Sequence, residues 1–401
     1  MAKIFAFCKQ MEWGCRVVRL NLQFHDNSAV FSVDAIAATS TEDEKENGKA
    51  EGTRILATGG GDGAVRIWRY SYERASEAPR KEFEYGTMED YPLAVEHLCT
   101  LKKHRGSVNC VRFSKDKRFL ATAGDTGAVL LWEVDKILES TPTGDDHTYA
   151  GAPSVVRDPD GTDIYDIAWT GGNIALGTAS GKVEVYEIKE KAPAKKETAT
   201  PTGKDGQKRL KVISAQSAPY TGRLLASKKA HKDVVQGVAS GEEVFASFGN
   251  ERSLVIHTKK GKKIKKITDR PLFVDKDKHV LFFRRLAFSD KTGTLYVPSG
   301  THDGKFAVFL FERPEWQPTS FLGGFPSSPG NVHITERYVL VSEGRNLYVF
   351  LLSDHRFLFR VLDCAFLPIT DMCTIEEKET RTVVGVSSSD GFLSCVCLYK
   401  R

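Results

Sequence analysis

RILATGGGDGAVRIWRY, residues 54–70, reads as two short apolar runs joined by a glycine-rich turn. Ile55, Leu56 and Ala57 lead in, residues 59–63 form the turn, and the exit run ends at Trp68. Gly and Asp supply the backbone angles that a tight hairpin turn demands. GGGDG could also open a phosphate loop. That motif needs Gly-Lys-Ser/Thr next and then a helix, and here Ala64, Val65 and Arg66 enter a strand. The unit is therefore a β-hairpin.

The unit recurs. RFLATAGDTGAVLLWEV (118–134) has the same order of apolar pair, Ala-Thr, turn and Trp. NIALGTASGKVEVYEI (173–188) follows with Tyr186 in place of Trp, and EVFASFGNERSLVIHT (243–258) is a weaker copy. YVLVSEGRNLYVFLL (338–352) and TVVGVSSSDGFLSCVCL (382–398) continue the series. A second element precedes several hairpins: QFHDNSAVFSVDA (23–35), KKHRGSVNCVRFS (102–114) and AHKDVVQGVAS (230–240). Each gives a His, a polar loop and alternating apolar residues. DIYDIAWTG (163–171) fills that place in the third copy without the His. Helical periodicity is nearly absent, so the chain reads as all-β.

A repeat of this length and order resembles the WD repeat, a four-stranded blade of a β-propeller. In that repeat an early His, a Ser/Thr, a turn Asp and the Trp form a buried hydrogen-bonded set. The resemblance gives His25, Thr58, Asp62 and Trp68 in copy one, and His104, Thr122 and Trp132 in copy two. In copy two Thr126 stands where the Asp is expected, with Asp125 one place earlier. Ser180 and Glu251 hold that place in copies three and four, which are expected to rest more on packing than on polar bonds. Taking Trp68, Trp132, Tyr186, His257, Phe311, Phe350 and Val396 as equivalent gives a single seven-bladed propeller over residues 1–401. Long polar insertions are expected at about 40–52, 135–162 and 189–220. A propeller must close its ring, so a strand from residues 3–22 should pair with the last blade.

Composition narrows the class. Of 401 residues, 41% are apolar and 27% charged, ordinary values for a soluble globular chain. No run of 18 apolar residues offers a membrane helix, and the start lacks a signal-peptide core, so an intracellular chain is expected. Eight cysteines without a C-x-x-C pair fit a reducing compartment, not a zinc site or disulfide framework. No nucleophile elbow or H-E-x-x-H is present, and the histidines at repeat positions read as structural. Neither an enzyme nor a cofactor is expected. Net charge is +5, yet residues 189–266 hold nineteen Lys/Arg against seven Asp/Glu. Such a surplus can attract an acidic partner or simply sit in solvent. Its densest part, KKGKKIKK (259–266), includes Lys262, Lys263, Lys265 and Lys266. It reads as a hairpin end or loop after blade four, and as a partner contact, a nuclear-import signal, a DNA contact or a solvated loop.

LFFRRLAFSD (281–290) places two arginines in the middle of an apparent strand. Strand alternation puts Arg284 on a face with Phe282, Leu286 and Phe288, and Arg285 with Phe283 and Ala287. A buried guanidinium must be paired. Either each arginine pairs with a carboxylate on a neighbouring strand or loop, or at least one reaches a propeller face and binds an acidic partner segment. Followed by TGTLYVPSG (292–300) and KFAVFLFERPEWQP (305–318), this strand resembles blade five of the WD-repeat middle subunit of chromatin assembly factor 1. AVFSVDA, GDGAVRIW, HRGSVNCVRFS, AVLLWEV, DIYDIAW, HKDVVQGV and SSSDGF stand in that family's order. The related propeller of the HIR histone chaperone is similar.

The resemblance implies a non-enzymatic nuclear subunit of a complex that receives histones H3–H4 and deposits them on DNA during replication and repair. Its partners would be the large and small subunits of that complex and, directly or indirectly, H3–H4; nucleic acid contact would be at most indirect and no membrane is involved. Family members also bind the anti-silencing-factor chaperone through a basic-then-apolar C-terminal tail. The sequence runs to Arg401 directly after the last blade without that tail. The resemblance therefore does not carry that contact to this chain. An HIR-type replication-independent subunit and a WD-repeat adaptor of another pathway are the alternative expectations.

Overall fold

A computed structural model describes residues 13–20, 25–37, 53–72, 93–140, 147–191, 218–268, 272–273 and 281–400. They form seven four-stranded antiparallel sheets. In six of these sheets the strands follow chain order, as in a meander of hairpins. The innermost strands are Val30–Ala37, Val108–Phe113, Ile164–Thr170, Val235–Ser240, Ala287–Phe288, Val332–Ile334 and Ile369–Lys378. Each lies against the next, and the last lies against the first. The result is a seven-bladed β-propeller.

The ring closes through sequence-distant strands. Trp13–Arg19 pairs antiparallel with Leu393–Lys400, with Val17 opposite Val396, so the last blade is completed from the other end of the chain. The expected closing strand is present.

Blade faces are apolar on both sides because each blade is stacked between two others. Seven core clusters result, one per blade junction. Ile55, Val65 and Ile67 of blade one meet Val111, Leu120 and Trp132 of blade two. Leu56 and Trp68, on the other side of blade one, meet Cys373, Val383 and Cys395 of blade seven. This two-sided burial explains why Leu56 and Ile67 are both almost fully buried. At about 25 cal/mol per Å² of buried apolar surface, such junctions supply most of the folding drive.

Three expectations need correction. Residues 135–162 are not one loop. The helix Val134–Glu139 and the strand Ser154–Arg157 lie within or beside this segment, and the strand completes blade two. Arg157 anchors that strand through Glu184 at 2.8 Å and Asp160 at 2.7 Å. The lysine segment also contributes a strand: Lys263–Ile267 is the outer strand of blade four. Outer edges tolerate lysine, which keeps them from pairing with other chains. Residues 281–286 form no ladder, with a bend at Phe282; only Ala287–Phe288 pair as a strand. Residues 40–52 and most of 189–220 lie outside the described residues, although Tyr220–Lys229 forms the outer strand of blade three.

Candidate functional site: the blade sets, the axial hub and the basic rim

The blade sets come first because they orient the loops. In blade one, Thr58 Oγ1 accepts from Trp68 Nε1 at 3.0 Å and meets His25 Nε2 at 3.0 Å. His25 Nδ1 lies 2.7 Å from Asp62. Burial lowers the His25 pKa, against the opposing pull of Asp62. In blade two, Trp132 Nε1 donates to Thr122 Oγ1 at 3.1 Å, and His104 Nε2 lies 2.8 Å from it. Asp125 does not reach His104; it accepts from Asn109 Nδ2 at 2.8 Å. His104 Nδ1 is left without a partner among the described residues, and burial pushes its pKa down to about 4.

Blade four departs from expectation. Instead of resting on packing alone, it rebuilds the whole set with other residues. Ser247 Oγ lies 2.8 Å from His231 Nε2 and 3.0 Å from His257 Nε2, so His257 takes the place of Trp. Glu251 lies 2.9 Å from His231 Nδ1 and takes the place of Asp. Blade three has a smaller version, in which Thr178 Oγ1 meets Ser180 Oγ at 3.0 Å.

The axis is charged. In five inner strands the register shifts at the second residue, a β-bulge at Phe31, Asn109, Tyr165, Gln236 and Thr370. A bulge turns adjacent residues in the same direction and re-aims side chains. Here it brings polar groups of the inner strands together at the centre. Asp371 of blade seven accepts from Ser32 Oγ of blade one at 2.6 Å and from Arg112 Nη1 of blade two at 2.7 Å. Asp166 of blade three accepts from Val238 N of blade four at 2.9 Å. Asp34 accepts from Phe113 N at 2.7 Å.

Arg285 ties these groups together. Its Nη1 donates to Asp166 at 2.5 Å, and its Nε lies 3.2 Å from Asp371. It also donates to the carbonyls of Phe31 at 3.1 Å, Asn109 at 2.9 Å and Thr370 at 3.1 Å. One side chain from blade five thus reaches blades one, two, three and seven. Arg284 turns the other way. Its Nε donates to Gln236 Oε1 at 2.7 Å and its Nη1 to Ser299 Oγ, joining blade four to blade five. Blade four comes this close because Gly237 lacks a side chain: a Cβ there would lie 1.9 Å from the Arg284 carbonyl.

These positions settle the strand-face reading of LFFRRLAFSD. Arg284 and Arg285 are 2% and 4% exposed, whereas Phe282 is 64% exposed. Phe282 and Arg284 share no face, because alternation fails where the ladder is missing. Both guanidinium groups are buried and engaged, so the reading of either as a face-exposed ligand for an acidic partner is corrected. Arg285 does pair with carboxylates, but across the axis instead of beside its own blade.

Electrostatics fit this wiring. Burial pushes Asp371 upward, but Arg112 and Arg285 outweigh it and hold the group below the usual carboxylate value. Asp34 is raised to about 6 by burial, with Arg112 and the Phe113 N–H opposing. His333 is lowered by burial to about 4. Sequence reading missed Ser32, Arg112, Asp166 and Asp371. For Arg112 and Asp166 the signal was a charged residue inside an apolar inner strand, in VNCVRF and DIYDIAW, as in LFFRRLAF.

The lysines stand apart from the hub. Lys262, Lys263 and Lys266 are exposed, and Lys265 is half-buried. Lys266 Nζ donates to the Ala230 carbonyl at 2.8 Å, and Lys265 Nζ to that of Glu315. Exposed Lys228, Lys229 and Lys232 lie on or just after blade three's outer strand, giving the rim a basic stretch across two blades. Among the described residues no group of three or more His, Cys, Asp or Glu side chains is placed to hold a metal ion.

Comparisons with known proteins agree with this architecture. The family model described as WD domain, G-beta repeat matches residues 95–133. A chromatin assembly factor 1 subunit from Schizosaccharomyces pombe is 28% identical over 190 residues, 46% of this chain and 28% of that protein. Its counterpart from Gallus gallus is 25% identical over 310 residues, 71% of this chain and 45% of that protein. Protein HIR1 of Candida albicans is 23% identical over 378 residues, 82% of this chain and 37% of that protein. The chain spans less than half the length of these relatives. The crystal structure of the WD40 beta propeller domain of Doa1 superposes with a TM-score of 0.60 at 14% identity, covering 96% of both chains, which shows the fold alone. The chain is a seven-bladed β-propeller carrying a matched WD repeat, and its sequence is similar to these chromatin assembly factor 1 subunits and to Protein HIR1.

Proposed function

We propose that this chain is the non-enzymatic propeller subunit of a nuclear chromatin assembly complex that handles histones H3–H4. The carrying observation is its similarity to proteins named as subunits of chromatin assembly factor 1, which in one case extends over 71% of the chain. The geometry supports a scaffold. The polar groups at the axis hold blades together. Such a body offers rigid loops and rims for partners. The basic rim at Lys262, Lys263 and Lys266 is a second contact, toward an acidic segment of a partner protein. Charge reversal there should weaken partner binding in a salt-dependent way without changing the melting temperature.

The test is purification of the tagged chain from native nuclear extract at moderate salt, followed by mass spectrometry. A stoichiometric large subunit, a second WD-repeat subunit and H3–H4 are the expected companions. HIR-type companions would move the chain to the replication-independent complex. Another stable partner without histones would return it to the adaptor class.

A further inference from the structure

The hub has an aromatic cover. Phe283 lies over the Arg285 guanidinium, 4.7 Å from ring centroid to carbon. Phe31 and Tyr165 pack against Phe283 with centroids at 5.7 and 6.2 Å. Phe31 and Tyr165 are bulge residues and only half-buried, so part of each ring faces solvent. Phe282 next to them is the most exposed large apolar side chain described.

Beside Tyr165 stand two carboxylates, Asp125 and Asp163. Both are half-buried, and neither has an ion-pair partner among the described residues. Burial and then the Asp125 charge push Asp163 up, and both charges act on Tyr165 after burial. In the hub beneath, Arg112 and Arg285 face three carboxylates, Asp34, Asp166 and Asp371, and Arg284 is held by Gln236 and Ser299. One end of the axis therefore combines partly exposed aromatic rings with two carboxylates that have no ion-pair partner among the described residues.

We propose that this axial mouth binds a cationic side chain, best an arginine, of an extended basic polypeptide segment. A guanidinium can stack on Tyr165 or Phe31 and present its fork to Asp163 and Asp125. Asp163 and Asp125 would repel an acidic peptide or a phosphate backbone. Phe282 gives the flanking chain an apolar surface, which a lone small amine would not use. The inference rests on the chromatin assembly reading for its natural partner, and on the mouth's own geometry for its chemistry.

The probe is a fluorescein-labelled ten-residue peptide alternating Arg with Gly, read by fluorescence anisotropy on the full chain. Versions with citrulline or Glu in place of Arg serve as controls. Binding should need arginine and fall at least tenfold with citrulline, which keeps the shape and drops the charge. D163N and Tyr165→Ala should each weaken binding about tenfold or more, and the melting temperature should hold. D163N is the milder variant, since it keeps the side-chain shape. Equal binding of the citrulline peptide, or undiminished binding by a folded D163N variant, overturns the proposal. Co-purified partners from the same variants separate the two readings. Partners retained while the arginine peptide fails to bind wild type would sink the mouth and leave the subunit assignment intact. Peptide binding without chromatin assembly partners would do the reverse.

Discussion

The blade sets and the axial hub solve the same problem at different scales. The set at His25, Thr58, Asp62 and Trp68 closes within one blade and its entry loop, over 43 residues from His25 to Trp68. The hub joins Ser32, Arg112, Asp166, Arg285 and Asp371, which are up to 339 positions apart. A set uses mostly neutral donors and acceptors and can be rebuilt from substitutes, as Ser247, Glu251 and His257 rebuild it in blade four. The hub uses charges in a buried place, where each ion depends on its partners. Local polar bonds therefore tolerate replacement, and a shared charged centre does not.

The strongest attempt to break this contrast is Arg285→Ala. It removes the guanidinium that Asp166 and Asp371 share, leaving Arg112 as their one remaining cation among the described residues, and should cost about 3–5 kcal/mol, the usual penalty for breaking a buried pair. The denaturant midpoint should fall sharply. Arg285→Met with Asp166→Asn should cost less than the two single changes summed, because the residues share one network. Additive costs would mean the hub is not a unit.

Thr122→Val and Ser247→Ala probe the blade sets. Each strips the shared hydroxyl from two ring nitrogens and should cost about 1–3 kcal/mol. Similar losses in the two blades, both smaller than that of Arg285→Ala, would sharpen the comparison. No loss for Ser247→Ala would mean that blade four stands on packing after all.

Acid gives the smallest effect. His104 and His257 have folded pKa values of about 4 and about 3, below the unfolded value of 6.5. As pH drops below 6.5 the unfolded chain takes up protons first, so stability falls toward pH 4. Asp34 acts oppositely. Its folded value of about 6 lies above the unfolded 3.8, so its contribution is full below 3.8 and is lost as pH rises through 6. Two histidines outweigh one carboxylate, and the melting temperature should drop by several degrees from pH 7 to pH 5. A rise over that interval would mean the hub carboxylate dominates the blade histidines.

The same contrast explains what could be read from the sequence. The hairpins, the Trp positions and the set in blade one are local patterns, so they stand out along the chain, and the closing strand follows from the need of a ring to close. The hub is not local. Asp166 and Asp371 look like ordinary residues of alternating strands until the ring brings them to Arg285. The arginine pair signalled buried charge, but alternation misassigned its faces because residues 281–286 have no ladder to enforce it. Outer strands were also hard to see. Ser154–Arg157 is four residues long between polar stretches, and Lys263–Ile267 carries the charge of an edge. An outer strand needs little apolar sequence because one of its edges faces water.

Ring closure through Trp13–Arg19 has a consequence for synthesis. This strand emerges early, yet its partner Leu393–Lys400 is made about 370 residues later. At roughly 5–20 residues per second, the early strand waits on the order of 20–70 s beside the ribosome with its edge unpaired. Six blades can stack in that time, but the seventh cannot. Newly made chains are therefore most prone to wrong strand pairing until Leu393–Lys400 emerges, and that interval is when a holding factor would protect them.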